Sequence, residues 1–336
     1  MPPIEALTGL KAARYLFRLI AAEEMRLPPY KGSTLRGGFG TAFRLSSCAN
    51  PDAADCRGCL LVQVCAYAYC FESTLPPDSQ VLRSLGEIPR PFVIEPPANE
   101  ETVIRAGASL DFGLALIGRA IDYFPYFLLS FQRLGEIGLG KGRRHGLGRF
   151  KVAGVWSLRP WSGEPPGCLV HDGATGRVNM GAVEIADTAA VAKRINRFRD
   201  STLNTQNSKL QVSFLTMTRL KSEEALARRP EFHILLRALL RRVSSLAYFH
   251  GGERLEADFP GLASRARQVR LVGDGTRWRD WTRYSSRQDA RMELGGLVGE
   301  AEYEGEMGEF LPWLVWGELV HVGKNATFGL GRIRLS

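Results

Sequence analysis

The sequence lacks long apolar runs: within its 336 residues no stretch approaches the roughly 20 consecutive apolar residues of a membrane-spanning helix. The N-terminus also lacks the basic region, apolar core and small-residue cleavage site of a secretory signal. We therefore expect a cytoplasmic protein with no membrane partner. The length predicts about two domains of roughly 100 to 200 residues each, and a hydrophobic content of 45% is sufficient for two cores.

Acidic residues are fewer than basic ones, and histidine is rare. The chain has 35 acidic against 44 basic side chains and a formal net charge of +9, which favours a polyanionic partner over an acidic small substrate. Its five histidines begin only at position 145. Many basic proteins bind no nucleic acid, so net charge by itself does not show that this one does. The positions of the cations along the chain are the better evidence.

Cysteine is almost absent outside one short segment. Five of the six cysteines lie in this segment and Cys168 stands alone; the five are Cys48, Cys56, Cys59, Cys65 and Cys70. Without an export signal a disulfide framework is not expected, and the cluster predicts a metal site instead. The tight spacing of Cys56-Arg-Gly-Cys59 is the one that tetrahedral zinc favours.

The predicted metal ligands are Cys48, Cys56, Cys59 and Cys65, with Cys70 as an extra thiol. Structural zinc is predicted because the insertion, at about 46–72, is too short to bury a core of its own, and metal binding can replace that core at roughly 10 kcal/mol or more. An iron-sulfur cluster and a loop of unmetallated thiols are the alternatives. No nearby histidine or carboxylate leaves an open coordination position, so no catalytic metal is expected.

Hydrophobic periodicity predicts the same order of elements in both halves of the chain. In the first half the predicted strands are 13–27, 91–97, 109–117 and 149–157. Two helices are predicted between them: a short one that begins at Ser33, and a second one at 119–136. In the second half a strand at 210–220, a helix at 231–249, strands at 267–283 and 291–303, a helix at 309–319 and a strand at 327–335 follow. The order β-α-β-β-α-β predicts an α+β fold of two tandem ferredoxin-like (RRM-like) domains, 1–200 and 201–336.

Each half closes on a glycine-rich segment that follows a helix and precedes a strand. The segments 138–152 and 323–335 share the sequence Gly-Leu-Gly-Arg at 146–149 and at 329–332. Glycine lets backbone amides approach a phosphate closely, which suits a sugar-phosphate chain, although tight turns with solvated arginines are compatible with the same pattern. A dinucleotide-binding fingerprint is excluded because it follows a strand and opens a helix.

These segments carry a resemblance to a known family. The glycine-rich segments, Tyr30-Lys-Gly-Ser-Thr-Leu-Arg-Gly-Gly-Phe-Gly40 and Pro91-Phe-Val-Ile-Glu-Pro96 resemble the CRISPR precursor-RNA processing endoribonucleases of the RAMP superfamily. Cys65-Ala-Tyr-Ala-Tyr-Cys-Phe-Glu72 is similar to the Cys-Pro-Tyr-x-x-x-Phe-Glu segment of a cysteine-containing subset, with Ala66 in place of proline. The resemblance spans nearly the whole chain, and the glycine-rich segments specify only the superfamily.

The resemblance implies metal-independent cleavage of CRISPR repeat RNA that leaves a 2′,3′-cyclic phosphate and a 5′-hydroxyl. The family often uses a histidine near the first helix as the base, and this sequence has none there. Tyr30, Lys31 and Arg36 lie in the region where the family places its active site and are predicted to support the transition state. His145 and His321, beside the glycine-rich segments, are the predicted bases.

Predicted RNA contacts are cations in the glycine-rich segments and on the long helix of the second half: Lys141, Arg143, Arg144, Arg149, Arg241, Arg242, Lys324 and Arg332. The run Arg277-Trp-Arg-Asp-Trp-Thr-Arg-Tyr284 interleaves cations with aromatic rings, which suits unpaired bases or a hairpin groove. A solvated basic face with buried tryptophans is the alternative.

Three functions are compatible with these patterns. The first is an endoribonuclease that recognises and cuts CRISPR repeat RNA. The second is a non-catalytic guide-RNA-binding RAMP subunit that associates with other subunits of a CRISPR effector complex. The third is a metal-cluster redox protein with incidental basic charge.

Overall fold

The computed structural model describes residues 7–72, 88–161, 167–202, 209–223, 225–252, 254–285 and 290–336. The chain divides into two compact units: a first unit, Ala12–Ile185, and a second unit, Met1–Lys11 with Ala186–Ser336. The division therefore lies at Ala186, before the boundary at 200 expected from sequence. Residues 186–200 belong to the second unit because they form a helix that packs against it.

The first unit contains seven strands and three helices among its described residues. The strands are β1 (Ala12–Ala21), β2 (Met25–Arg26), β3 (Phe92–Glu95), β4 (Val103–Ile104), β5 (Ser109–Ile117), β6 (Phe150–Leu158) and β7 (Leu169–Asp172). The helices are α1 (Gly32–Ser47), α2 (Ala66–Phe71) and α3 (Phe124–Ile137). A short strand, β8 (Ile185–Ala186), spans the position in the chain at which the first unit ends and the second continues.

The main sheet of the first unit has the order β3-β5-β1-β6-β7. Strand β1 is central and antiparallel to both neighbours; Phe17 is level with Phe112 on β5 and with Val155 on β6. Alternate β1 residues are buried, as its period of two predicts. The predicted strand 13–27 therefore ends early, at Ala21, and β2 instead pairs with β4.

Helices α1 and α3 pack against each other and enclose an aromatic core. Phe39 of α1 stacks on Phe131 of α3, with ring centroids 4.7 Å apart, and Phe131 lies 5.0 Å from Phe17 of the sheet. Gly38 lets the helices approach closely, since a Cβ there would lie 2.9 Å from Leu134. Removing a ring such as Phe39 typically costs about 3–5 kcal/mol of stability.

The second unit contains nine further strands and four further helices among its described residues. The strands are β9 (Lys209–Thr218), β10 (Lys221–Ser222), β11 (Ala225–Leu226), β12 (Arg270–Asp274), β13 (Arg277–Arg279), β14 (Thr282–Ser285), β15 (Ala290–Glu293), β16 (Gly296–Glu304) and β17 (Ile333–Leu335). The helices are α4 (Thr188–Thr202), α5 (Phe232–Leu246), α6 (Phe259–Arg265) and α7 (Leu311–Val320).

The sheet of the second unit has the order β12-β16-β9-β17, with β13 also paired to β16. The two sheets share an arrangement. In the first unit β1 lies between β5 and β6, and in the second unit β9 lies between β16 and β17. The α+β character expected from sequence is confirmed. Within the described ranges, no helix is long and apolar enough to span a membrane.

Helix α7 is buried along its whole length, which the sequence pattern predicts for a helix that is apolar all round. It packs against α5 and against α4, where Arg194 forms an ion pair with Glu318 (3.3 Å). Helix α4 lies between the strands predicted at 149–157 and 210–220, where no helix was predicted from sequence. Its mean hydropathy is low, so its role as a cover for α7 becomes visible only in the folded chain.

Candidate nucleic-acid interface and thiol pocket

The first glycine loop, residues 138–149, follows α3 and leads into β6. Its glycines at 138, 140, 142, 146 and 148 all have positive φ, a conformation that side chains with a Cβ rarely adopt. The amide of Leu139 donates to the carbonyl of Gly148 (2.9 Å) and closes the base of the loop. A Cβ on Gly148 would collide with the carbonyl of Leu139, so glycine is required there.

The side chains of the first glycine loop point largely into solvent. Lys141, Arg143, His145 and Arg149 are all exposed, and residues 143–145 form a single 3₁₀ turn. Arg149 forms an ion pair with Glu23, which competes with any contact to phosphate. For Arg144 the structure describes the backbone alone. This loop therefore exposes three polar side chains to solvent, Lys141 before the turn and Arg143 and His145 on it.

Beneath this loop lies the segment that leads into α1. The amide of Lys141 donates to the carbonyl of Arg26 (3.0 Å), and the same carbonyl leaves no space for a Cβ at Gly140. Residues 26–27 thus connect the loop to Tyr30 and α1 through the backbone. Tyr30 is half-buried at this point.

The second glycine loop, residues 321–332, follows α7 and repeats the backbone path of the first. The amide of Val322 donates to the carbonyl of Gly331 (2.8 Å), as Leu139 does to Gly148. The amide of Lys324 donates to the carbonyl of Arg219 (3.2 Å), as Lys141 does to Arg26. Residues 326–328 form the matching 3₁₀ turn. Lys324 is exposed and Arg332 is half-buried.

His321 is not available to act as the predicted base. It occupies the position that Gly138 has in the first loop, with φ 61° and ψ 170°, a region that residues other than glycine rarely enter. Its side chain is fully buried, and Nδ1 lies 3.0 Å from the carbonyl of Leu330. His321 therefore connects the two ends of the second loop. Because a general base has to come within hydrogen-bond distance of its substrate, a histidine buried in this way cannot serve as one.

Lys31 also differs from its prediction as a catalytic cation. It is fully buried, and its ammonium donates to the carbonyls of Asn99 (2.9 Å) and Pro29 (3.3 Å) and to Oδ1 of Asn99 (3.2 Å). Burial lowers the pKa of Lys31, against the opposing charges of Glu101 and Glu100. Three oxygens match its three N–H groups, so Lys31 tethers the loop at residue 99 to the start of α1.

Arg36 and Arg242 are both engaged within the protein. The guanidinium of Arg36 lies 5.2 Å from the ring centroid of Phe71 in α2. Arg242, predicted to contact RNA, donates from Nε to the carbonyl of Val320 (2.7 Å), the last residue of α7, and burial lowers its pKa to about 10. A cation there stabilises a helix C-terminus, so Arg242 caps α7 directly before the second loop. Its neighbour Arg241 is exposed.

An exposed basic edge in the second unit was only partly visible in the sequence. Arg277 and Arg279 of β13 are exposed. Between them, the ring of Trp278 forms a cation–π contact with the guanidinium of Arg228, which lies 4.0 Å from the ring centroid. The indole N–H of Trp278 donates to Asp280 (2.8 Å). Arg228 was missed because its contact with Trp278 is set by tertiary structure. The side chains of Arg283 and Tyr284 lie outside the described set.

The cysteine segment forms a pocket of about 180 Å³ in the first unit. Cys48, Cys56, Cys59 and Cys65 all line it, beside Tyr126 of α3. Burial raises the pKa of Cys56, and the charges of Glu72, Cys48 and Cys65 add to the effect. Among the described residues, no group of three or more His, Cys, Asp or Glu side chains is arranged so that it could hold a metal ion.

Cys70 lies apart from this pocket. It is fully buried in the apolar core, and burial raises the pKa of its thiol. Cys168 is exposed, on the short segment before β7. The four cysteines predicted as ligands are thus the ones that share a pocket.

Two family models match the chain. Residues 10–182, just over half of its 336 residues, match the model described as AF_1859_N, N-terminal domain. The chain belongs to this family. Residues 212–333 match the model of the CRISPR-associated endoribonuclease Cas6. A relative in Archaeoglobus fulgidus, described as an uncharacterized protein, is 24% identical over 332 residues, which cover 98% of this chain and 97% of the relative.

Solved structures of Cas6 have a similar fold. Thermus thermophilus Cas6 is 13% identical with a TM-score of 0.51, and a Cas6 product complex is 13% identical with a TM-score of 0.52; each comparison covers 97% of this chain and 99% of the other. A partial Cas6-RT-Cas1–Cas2 complex has a TM-score of 0.55 at 12% identity, and this chain spans 46% of that longer chain. At this level of identity the likeness to these structures concerns the fold, and the match to the Cas6 model covers residues 212–333.

Proposed function

We propose that this protein is an endoribonuclease that cleaves CRISPR repeat RNA without a catalytic metal. The observation that carries the proposal is the first glycine loop, which exposes His145 together with two cations, Lys141 and Arg143, within five consecutive residues. A base next to cations is the minimum that 2′-hydroxyl attack on a phosphodiester requires. The Cas6 domain at residues 212–333 supports RNA as the substrate.

In the proposed reaction, His145 accepts the proton of the 2′-hydroxyl while that oxygen bonds to phosphorus. The bond to the 5′-oxygen breaks, and the leaving oxygen takes a proton from solvent water, so that the products are a 2′,3′-cyclic phosphate and a 5′-hydroxyl. Lys141 and Arg143 offset the charge that builds on the phosphorane. Tyr30, which precedes α1, is proposed to support the same transition state.

The second glycine loop is proposed to hold RNA without taking part in the chemistry. Its exposed Lys324 occupies the backbone position that corresponds to Lys141, whereas the position of His145 is occupied by Phe328. Arg241 and the basic edge around Trp278 extend the cationic surface of the second unit. Stacking of an arginine on tryptophan leaves a flat, charged surface of the kind that unpaired bases recognise.

We propose that each unit is a ferredoxin-like, RRM-like domain. The support is the shared element order and the shared sheet order, with β1 in the first unit and β9 in the second as central strands. Other subunits of a CRISPR effector complex are proposed as partners. The cytoplasmic location expected from sequence stays a prediction.

A non-catalytic guide-RNA-binding subunit is the second candidate. The observations in its favour are the burial of Lys31 and His321, which leave His145 as the sole predicted base on an exposed surface among the described residues. Such a protein would bind the same RNA and leave it intact.

The two candidates are separated by a cleavage assay. Labelled repeat RNAs from several repeat families are incubated with the purified protein in EDTA, and the end groups of any product are identified. One cut per repeat with a cyclic phosphate end, lost in His145→Ala and retained in the control His233→Ala, supports the nuclease. Tight binding with every repeat left intact would assign the protein to the second candidate.

A further inference from the structure

Four thiols are brought to one pocket by both ends of the cysteine segment. Cys48 directly follows α1 and Cys65 directly precedes α2, so each is attached to a helix that is packed into the core of the first unit. The sulfur of Cys65 lies 3.9 Å from the carbonyl of Ser47, which keeps these two ends side by side. Two thiols are therefore held by well-packed structure.

The other two thiols belong to a tight turn. The amide of Cys59 donates to the carbonyl of Cys56 (3.3 Å), and Gly58 between them has φ 74° with open space around it. Cys56 and Cys59 both line the pocket that Cys48 and Cys65 also line, with Cys59 on its exposed side. A pair of thiols from such a turn combined with two from flanking elements is the donor set of structural zinc sites.

The residues between the helices obtain little stability from apolar burial. Leu60 is 98% exposed, Val64 69% and Leu61 47%, whereas Tyr67 and Phe71 in the following α2 are buried. The segment has no strand or α-helix between α1 and α2. It is tied to α1 by Arg44, which donates to the carbonyl of Ala53. Because so few of its apolar side chains are buried, this segment needs another interaction to stabilise its conformation.

We propose that Cys48, Cys56, Cys59 and Cys65 bind one structural zinc ion. Zinc displaces the thiol protons into solvent and forms four zinc–sulfur bonds of about 2.3 Å. Since the thiols do not surround a common point in this structure, metal uptake draws the exposed turn at 56–59 toward the two anchored cysteines. Arg44, on the adjoining face of α1, offsets the negative charge of a four-thiolate site.

The proposal is tested on the full-length protein by its metal content. We expect about one zinc per chain in elemental analysis of protein purified from zinc-containing medium. The paired variants Cys56→Ser/Cys59→Ser and Cys48→Ser/Cys65→Ser should lose it, and the matched control Cys168→Ser should keep it. Replacement of zinc by cobalt(II) should give the visible absorption of tetrahedral cobalt thiolate in the wild-type protein only.

A second readout uses Arg57, whose side chain is 91% exposed in the middle of the segment. Trypsin should cut after Arg57 faster once zinc is removed by a chelator, and added zinc should restore protection. The removal of zinc is reversible, and the measurement uses the wild-type protein, so it does not depend on the folding of any variant. Zinc-free wild-type protein, zinc retained by both paired variants, or iron with visible absorbance before cobalt is added would each overturn the proposal. RNA cleavage enters none of these readouts, so the proposal stands or falls separately from the nuclease function.

Discussion

The two glycine loops follow the same backbone path but differ in what holds them. In the first loop, glycine at 138 makes the turn out of α3, and the exposed side chains of Lys141, Arg143 and His145 follow. In the second loop, His321 makes the corresponding turn with a buried imidazole, and Arg242 caps the preceding helix. One loop is a scaffold for exposed groups, and the other is fastened by buried ones.

This difference separates the two histidines that flank the glycine-rich segments. A histidine placed on a solvent-exposed turn can meet a substrate. One that is buried at a positive φ contributes to stability, since strain of that kind persists only where surrounding contacts hold it. This difference is the reason for proposing that the first loop takes part in the chemistry and that the second loop retains RNA.

The largest expected effect is on cleavage by the histidine variants. His145→Ala should reduce the cleavage rate about a hundredfold or more, because a general base typically contributes that much. His321→Ala should leave the rate per folded molecule near that of wild type. Single-turnover cleavage measures both, and the opposite result, with His321 essential and His145 dispensable, would reverse the assignment of the two loops.

The next effect concerns the glycines at the base of each loop. Gly148→Ala and Gly331→Ala should each destabilise the protein by at least about 2 kcal/mol, because a Cβ would meet the carbonyl of Leu139 or Val322 at a positive φ. Urea unfolding measures the loss. The matched control is Gly146→Ala, which has positive φ but open space, and should cost about 1 kcal/mol. Equal losses at all three positions would mean that the close approach carries no weight.

A smaller effect is expected for the two matching lysines. Lys141→Ala and Lys324→Ala should each weaken RNA binding several-fold and reduce the salt dependence of log K by about 0.7, the value for one phosphate contact to a single strand. Binding titrations over a range of salt concentrations measure this slope. Arg57→Ala, which removes an exposed cation of the cysteine segment, serves as the control. If neither lysine changes the slope, the loops do not contact phosphate.

The smallest effect concerns the carboxyl group beneath the second loop. Burial raises the pKa of Glu318 above its ordinary value of 4.5, and Arg194 and the amide of Leu335 only partly offset this. The folded state therefore holds the proton more tightly, and stability falls as the pH rises from the ordinary pKa through the raised one. Glu318→Gln should remove this decline.

The measurement is urea unfolding of wild type and Glu318→Gln between pH 4 and pH 8. The two proteins should be closest in stability at the acidic end and diverge in favour of the glutamine variant toward neutral pH. A wild-type advantage that grows toward neutral pH would mean that the ion pair with Arg194 outweighs the cost of burying the carboxylate.

Local patterns predicted much of the architecture. The alternation of Tyr15, Phe17 and Leu19 corresponds to β1, and the helix predicted at 309–319 corresponds to the buried helix α7. The glycines of both loops do adopt positive φ. These predictions succeeded because periodicity and glycine conformation depend on neighbours in the chain.

Element ends and the cover of α7 were not predictable in the same way. The strand expected to reach 27 ends at Ala21, and α4 was not expected at all. Its sequence is polar on average, and its apolar residues Val191, Ile195 and Phe198 acquire their role only by packing in the second unit.

By itself the sequence determined the long strands β1 and β9, the apolar helices α3 and α7, the repeated glycine loops and the grouping of five cysteines, because each depends on residues close together in the chain. Only the tertiary structure decided which cations and histidines reach solvent. Lys31, Arg242 and His321 belong to the same polar classes as Lys141, Arg143 and His145, yet the former are engaged by carbonyl groups inside the fold. Burial of a polar side chain is set by contacts between distant segments, and for that reason no local pattern reveals it.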